Sequence, residues 1–97
     1  MLARKKSKPL YRLLNDQLVE RLPVYATGIN PDQPEEFAAQ RQAEGHRAFK
    51  LKTGFGHELD VRNLQRMRKA LGDQAILTCD SNQSHTLQSA TEFVHAI

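Results

Sequence analysis

Ala48-Phe-Lys-Leu-Lys-Thr53 is the stretch that decides how this chain folds. Side chains alternate between the two faces of a β-strand, so Phe49 and Leu51 share one face while Lys50 and Lys52 share the other. In a parallel sheet, helices cover the apolar face of a strand. The stretch therefore predicts a strand that buries its apolar residues against helices and presents both lysines on the opposite face.

Units of one strand followed by one helix account for most of the remaining sequence. The predicted strands cover residues 22–29, 48–53 and 75–80, and the predicted helices cover residues 34–44, 59–71 and 87–97. Each unit takes about 25 to 27 residues, which is close to the unit length of a (β/α)8 barrel. Strands that alternate with helices indicate a parallel sheet. The predicted fold class is therefore α/β, with an N-terminal helix and three βα units of an incomplete (β/α)8 barrel of the TIM type.

The N-terminal residues combine a basic start with a leucine stripe. Residues 9–20 place four leucines on one side of a predicted helix: Leu10, Leu13, Leu14 and Leu18. The bases that precede the first acid are Arg4, Lys5, Lys6, Lys8 and Arg12. Because no recognition motif or aromatic stacking pattern accompanies them, we expect a solvated helix end and no nucleic-acid partner. We divide the chain into residues 1–20, a helix that leads into the barrel, and residues 21–97, the barrel part.

Composition indicates an ordinary globular chain in a reducing compartment. Of its 97 residues, 39% are hydrophobic and 26% are charged, and the formal net charge is +3. Cys79 is a single thiol, which cannot form an internal disulfide, so we expect a cytoplasmic protein. We expect Cys79 to be buried on the helix-covered face of its strand. No apolar run approaches the roughly 20 residues that a membrane-spanning helix needs, so we expect no membrane partner.

Two pairs of polar residues stand at the predicted carboxyl ends of neighbouring strands. Lys50 and Lys52 end one strand, and Asp80 and Asn82 stand at the end of the next. A lysine that is partly desolvated beside a second cation has a lowered pKa and can act as a general base, while a carboxylate can bind Mg²⁺. The residues alone also fit an edge strand with lysines in water, followed by a loop in which Asp and Asn make turn hydrogen bonds.

Five segments together resemble one enzyme family. Three of them, Gly45–Gly54, Asp60–Arg62 with Arg68–Asp73, and Leu77–Gln83, are similar to the enolase superfamily, and within it to the mandelate racemase and muconate lactonizing enzyme group. Lys8–Leu14 and Val24–Gly28 are similar to the stretch that enters the barrel of that family. The resemblance covers nearly the whole chain. It implies an enzyme that abstracts a proton α to a carboxylate, with Mg²⁺ stabilising the enolate.

The resemblance also implies roles for single residues. Lys52 matches the catalytic acid/base, and Lys50 matches the lysine that tunes it and lies near the substrate carboxylate. Asp80 matches the first of three metal-binding carboxylates, and Asn82 matches a substrate-side residue that follows it. The implied substrate is a small carboxylate or sugar acid, and the implied reaction is racemisation or dehydration. The alternatives are a muconate-lactonizing type of cycloisomerase and a small non-catalytic α/β domain.

The resemblance further implies that these residues are part of a larger enzyme. The family's N-terminal capping domain, its opposing acid/base and the strands with the other two metal carboxylates have no counterpart in the sequence. We therefore expect a fragment that binds Mg²⁺ weakly or not at all and has no measurable turnover alone. Three βα units leave the edges of a sheet unpaired, so we expect association through those edges.

Overall fold

The computed structural model describes residues 2–15, 17 and 20–97, and strands alternate with helices over most of that range. In chain order the elements are α1 (Leu2–Lys5), α2 (Tyr11–Leu14), β1 (Ala26–Ile29), α3 (Pro34–Ala43), β2 (Ala48–Lys52), α4 (His57–Leu71), β3 (Ile76–Asp80) and α5 (Leu87–Ala96). The strands form one parallel sheet in the order β1-β2-β3. The predicted α/β class with parallel βα units is confirmed.

Strand β2 lies at the centre of the sheet, between β1 and β3. Its pairing with β3 is continuous and places Lys50 beside Thr78 and Lys52 beside Asp80. Both strands run in the same direction, so their carboxyl ends meet at the same edge of the sheet. Because β2 is a central strand, the alternative of an edge strand is wrong, although both lysines stay partly exposed to solvent.

The hydrophobic core lies on one face of the sheet, under α3 and α4. Phe49 and Leu51 of β2 are 0% exposed, as the alternation predicts. Helix α4 contributes Leu64, Met67 and Leu71 to the same cluster. Burying one large apolar side chain stabilises a fold by about 1.5–3 kcal/mol. This cluster therefore fixes which face of β2 is turned away from the helices.

The longer helices begin and end close to where the sequence predicts. Helix α4 begins at His57, slightly before the predicted residue 59, and ends at Leu71. Gly72 then adopts a φ of 80°, which glycine does without steric strain. Thr86 caps α5 by accepting a hydrogen bond from the backbone N–H of Ser89. No helix within the described residues has both the length and the apolar character needed to cross a membrane.

The N-terminal segment differs from the prediction. Helix α2 spans only Tyr11–Leu14, and Asn15 is extended, with φ −149° and ψ 129°. Leu10 and Leu14 are 62% and 81% exposed, and Leu18 lies outside the described residues. A short helix gains most of its stability from packing its apolar face, and these exposed leucines pack against little in the described chain. The predicted continuous helix is therefore wrong, while the division of the chain at residue 20 stays a prediction.

Cys79 is exposed, so the prediction that it is buried is wrong. It pairs with Leu51 in the register of β2 and β3, and it therefore does lie on the helix-side face. The difference from Leu51 follows from the position of the strand, because β3 is at the edge of the sheet. The described helices cover the central strand and leave this part of β3 open.

Candidate active site

Lys52 and Asp80 are the last residues of β2 and β3, and the parallel register places them side by side. Lys50 lies on the same face of β2 as Lys52, opposite the buried Phe49 and Leu51. In (β/α) barrels, active sites lie at the carboxyl ends of the strands. The structure therefore brings two lysines and a carboxylate together at the end of the sheet where chemistry is expected.

The four residues proposed from the sequence form one hydrogen-bonded cluster. Lys52 Nζ lies 3.0 Å from Asp80 Oδ2 and 3.3 Å from Asn82 Oδ1. Lys50 Nζ lies 3.5 Å from the same carboxylate oxygen of Asp80, and the backbone N–H of Asn82 donates to Asp80 Oδ1 at 3.2 Å. The three charged side chains are 23% to 32% exposed. The cluster is therefore open to a ligand from solvent without being fully hydrated.

The surroundings of Asp80 favour its ionised form. Its pKa lies below the usual range, first because Lys52 donates a hydrogen bond and then because the backbone N–H of Asn82 does. The positive charges of Lys52 and Lys50 lower the pKa of Asp80 further. A carboxylate that stays ionised at neutral pH is a suitable ligand for a hard divalent cation.

Lys50 has a partner that sequence reasoning missed, Tyr25. Lys50 Nζ donates a hydrogen bond to Tyr25 Oη at 3.3 Å and lies 5.0 Å from the centroid of the tyrosine ring. That hydrogen bond is the largest cause that raises the pKa of Lys50, and the negative charge of Asp80 adds to it. The pKa of Lys50 is thus raised, whereas a lysine beside a second cation is expected to have a lowered pKa. Tyr25 directly precedes Ala26 of β1, and alternation along that strand would have placed it on the lysine face.

The loops that follow β2 and β3 are held to each other. The backbone N–H of Thr53 donates to the carbonyl oxygen of Asp80 at 3.0 Å, and Thr53 Oγ1 lies 2.8 Å from Ser81 Oγ. Gly54 approaches the other loop so closely that an added Cβ would overlap Ser84 Oγ and lie 3.0 Å from the Ser81 carbonyl oxygen. These contacts fix the two strand ends relative to each other.

The donor atoms of the cluster fit part of a site for a hard cation such as Mg²⁺. Asp80 offers a carboxylate and Asn82 an amide oxygen, and oxygen atoms of both kinds bind such cations. Within the residues that the structure describes, no group of three or more His, Cys, Asp or Glu is placed to hold a metal ion. The described chain thus supplies one carboxylate, and a complete site would need further ligands.

Comparison with known proteins identifies a family and a curated relative. Residues 33–97 match the family model described as enolase C-terminal domain-like. D-galactarolactone cycloisomerase from Agrobacterium fabrum is 38% identical over 85 aligned residues. That match covers 80% of this chain and 22% of the cycloisomerase.

Solved structures share the arrangement of strands and helices. A mandelate racemase/muconate lactonizing enzyme from Bordetella bronchiseptica matches with a TM-score of 0.85 and 42% identity, over 98% of this chain and 26% of that one. A racemase from Streptomyces coelicolor, solved with bound magnesium, matches with a TM-score of 0.69 and 32% identity, over 77% of this chain and 24% of that one. The chain thus spans about a quarter of the length of the relatives it matches.

Proposed function

Because this chain belongs to the enolase C-terminal domain-like family, we propose that it is the part of a magnesium-dependent enzyme that carries an acid/base lysine and the first metal carboxylate. The proposed reaction is abstraction of the proton α to the carboxylate of a small acid or sugar acid, followed by racemisation or dehydration. The proposed location is the cytoplasm, in keeping with a single cysteine and no disulfide.

One observation carries this proposal, the close pairing of a lysine and a carboxylate at the ends of adjacent strands. Lys52 Nζ lies 3.0 Å from Asp80 Oδ2. A base in this position stands beside the residue that would hold a metal ion, and so beside a substrate carboxylate bound at that ion. Mg²⁺ bound there would supply electrostatic stabilisation of the negative charge that develops on the substrate.

Each side chain of this cluster would have its own role in the reaction. Lys52 accepts or returns the substrate proton at Nζ, and it can accept a proton only as the free amine. Lys50 and Asn82 lie beside this proton path and would orient the substrate through its carboxylate and hydroxyl oxygens.

A cycloisomerase is the second candidate, and one observation favours it. The curated relative described above, at 38% identity, is a D-galactarolactone cycloisomerase. A pair of lysines on β2 would serve either reaction, since both begin or end with proton transfer next to a carboxylate. The group that faces the lysines across the substrate would decide between the two reactions.

A chimera tests whether Lys52 is an acid/base. The segment of the Agrobacterium cycloisomerase that aligns with this chain is replaced by the chain's own residues, and exchange of the substrate α-proton in D2O is followed by NMR. We expect Lys52→Met to lower the exchange rate by about 10²–10⁴-fold, the usual contribution of a general acid/base.

Lys69→Met is the matched control in the same chimera. Lys69 is exposed on α4, and its replacement removes the same charge and nearly the same volume away from the cluster. The proposal fails if the Lys52→Met chimera exchanges protons as fast as the Lys69→Met chimera. It also fails if a folded chimera that binds Mg²⁺ shows no proton exchange with Lys52 present.

A further inference from the structure

Asp60 is a buried carboxylate in the first turn of α4. Its side chain is 1% exposed, and it forms no ion pair with any residue that the structure describes. Burying an ionised group is costly unless hydrogen bonds replace its hydration. The position at the amino end of a helix reduces that cost, because the helix dipole favours negative charge there. The groups that donate hydrogen bonds to this carboxylate therefore indicate what Asp60 does.

The partners of Asp60 are the backbone amides that come directly after β2. Asp60 Oδ2 accepts hydrogen bonds from the backbone N–H of Gly54 at 2.8 Å and of Phe55 at 3.3 Å. Gly54 has a φ of +95°, so the chain turns sharply at this point. One carboxylate thus holds the turn that begins two residues after Lys52.

The same turn is in contact with the segment that follows β3. Thr53 is 3% exposed; its N–H bonds to the Asp80 carbonyl oxygen at 3.0 Å, and its hydroxyl lies 2.8 Å from Ser81 Oγ. The contacts therefore run without a gap from Asp60, through the turn and Thr53, to the carbonyl group of Asp80 and the side chain of Ser81. Displacement of the turn would move Lys52 relative to Asp80.

We propose that Asp60 is a positioning residue that sets the distance between the Lys52 ammonium group and the Asp80 carboxylate by holding the turn after β2. Asp60 contacts neither of these groups itself and acts through Gly54 and Thr53. The importance of this distance for catalysis rests on the proposed function. The effect of Asp60 on this distance does not depend on the proposed function. It is measurable in the intact chain without metal or substrate.

NMR of the Lys52 side chain in the intact chain tests the proposal. The Cε and Hε resonances of Lys52 report its ion pair, and Asp80→Asn defines their position when the pair is lost. We expect Asp60→Ala to move the Lys52 resonances most of the way to that position. We expect Asp60→Asn to restore them nearly to the wild-type position, because the amide oxygen still accepts the Gly54 N–H.

Asn63→Ala is the control for a purely structural effect. Asn63 lies on the same helix, is also 1% exposed, and donates a hydrogen bond to the Pro31 carbonyl oxygen at 2.8 Å. Its replacement by alanine removes a buried hydrogen bond as short as the one between Gly54 and Asp60. It leaves the turn after β2 unchanged. The proposal is overturned if Asp60→Ala moves the Lys52 resonances no farther than Asn63→Ala does.

Thr53→Val keeps the proposal testable if Asp60→Ala does not fold. Valine preserves the shape of threonine and removes only the hydroxyl contact with Ser81. We expect the Lys52 resonances to move in the same direction as in Asp80→Asn, and unchanged resonances would overturn the proposal. Because these signals require no proton exchange with substrate, failure here is distinct from failure of the Lys52→Met chimera.

Discussion

Gly54 stands where the loop after β2 meets the loop after β3. Its φ of +95° lies in a region that L side chains rarely adopt. An added Cβ would also overlap Ser84 Oγ and lie 3.0 Å from the carbonyl oxygen of Ser81. Two separate constraints therefore require glycine here, one from the backbone and one from the neighbouring loop.

The first prediction concerns this position. We expect Gly54→Ala to lower the free energy of unfolding by about 3 kcal/mol, because the strain of a positive φ adds to the steric overlap. Urea denaturation followed by circular dichroism measures the change. Adding Ser84→Gly to the Gly54→Ala variant is expected to recover part of the loss, since it removes the nearest overlapping atom.

Gly45→Ala separates the two causes. Gly45 has a similar φ of +101° but no atom within 4 Å of an added Cβ. Its replacement should therefore cost only the backbone part, about 1 kcal/mol. Equal losses for Gly45→Ala and Gly54→Ala would show that the close approach of the two loops contributes nothing to stability.

Single residues differ in how far the sequence predicts them. Lys50 and Lys52 were placed correctly because alternation along a strand is a local property. Asp60 and Tyr25 fall within segments that resemble the family, but the sequence predicts no role for either. The partners of both residues lie across a turn or on another strand, and a pattern read along one segment carries no information on such contacts.

Arg68, in the last turn of α4, binds the residues that follow the helix. Arg68 Nη1 donates to the carbonyl oxygens of Gly72 at 2.9 Å and Ala75 at 2.7 Å, with a longer bond to that of Asp73 at 3.3 Å. One guanidinium group thus connects the end of α4 to the residues that lead into β3.

The second prediction follows from this arrangement. We expect Arg68→Ala to lower the free energy of unfolding by about 1–3 kcal/mol, because it removes the charged donor from the partly buried hydrogen bond to the Ala75 carbonyl oxygen. Arg68→Lys should recover only part of the loss, since an ammonium group lacks the planar fork of the guanidinium. Urea denaturation of the three proteins gives the comparison.

Arg62→Ala is the control on the same helix. Arg62 is exposed and makes no side-chain hydrogen bond to the described residues, so its loss should change stability by no more than about 0.5 kcal/mol. A loss for Arg62→Ala as large as that for Arg68→Ala would mean that the hydrogen bonds of Arg68 beyond the end of α4 do not account for the effect.

Elements were predicted best where local signals and tertiary packing agree. For β2 the prediction of residues 48–53 differs from the structure by one residue, and α4 ends at Leu71, as predicted. The strand predicted over residues 22–29 begins only at Ala26. Leu22 and Val24 are 72% and 68% exposed, and β-forming residues do not make a strand without a neighbour to pair with and a face to pack on.

The molecule as a whole is extended for its size. Its radius of gyration is 18.0 Å, compared with about 13 Å for an independent domain of this length. Large apolar side chains are exposed before β1 and on β3, including Leu22, Val24 and Ile76. Exposed apolar surface of this kind marks a contact region. Association through the sheet edges stays a prediction, and it accords with a chain that spans about a quarter of its relatives.

The last prediction concerns metal binding by the intact chain. Asp80 and Asn82 offer one carboxylate and one amide oxygen, whereas Mg²⁺ requires near-octahedral coordination and loses its water reluctantly. The ammonium groups of Lys50 and Lys52 already form ion pairs with Asp80, and they repel a metal cation. We therefore expect calorimetric titration at neutral pH to give a dissociation constant for Mg²⁺ above roughly 1 mM.

The residual binding should nevertheless depend on Asp80. We expect Mg²⁺ to shift the backbone amide resonances of Asp80 and Asn82 in the wild-type chain, and this shift should disappear in Asp80→Asn. Asp73→Asn removes an exposed acid before β3, at the other end of the sheet, and should leave the shift unchanged. A tight, stoichiometric Mg²⁺ site would contradict the prediction, because one carboxylate neutralised by two lysines cannot provide it. Such a result would require further ligands that assemble around β3, for instance by association of two copies.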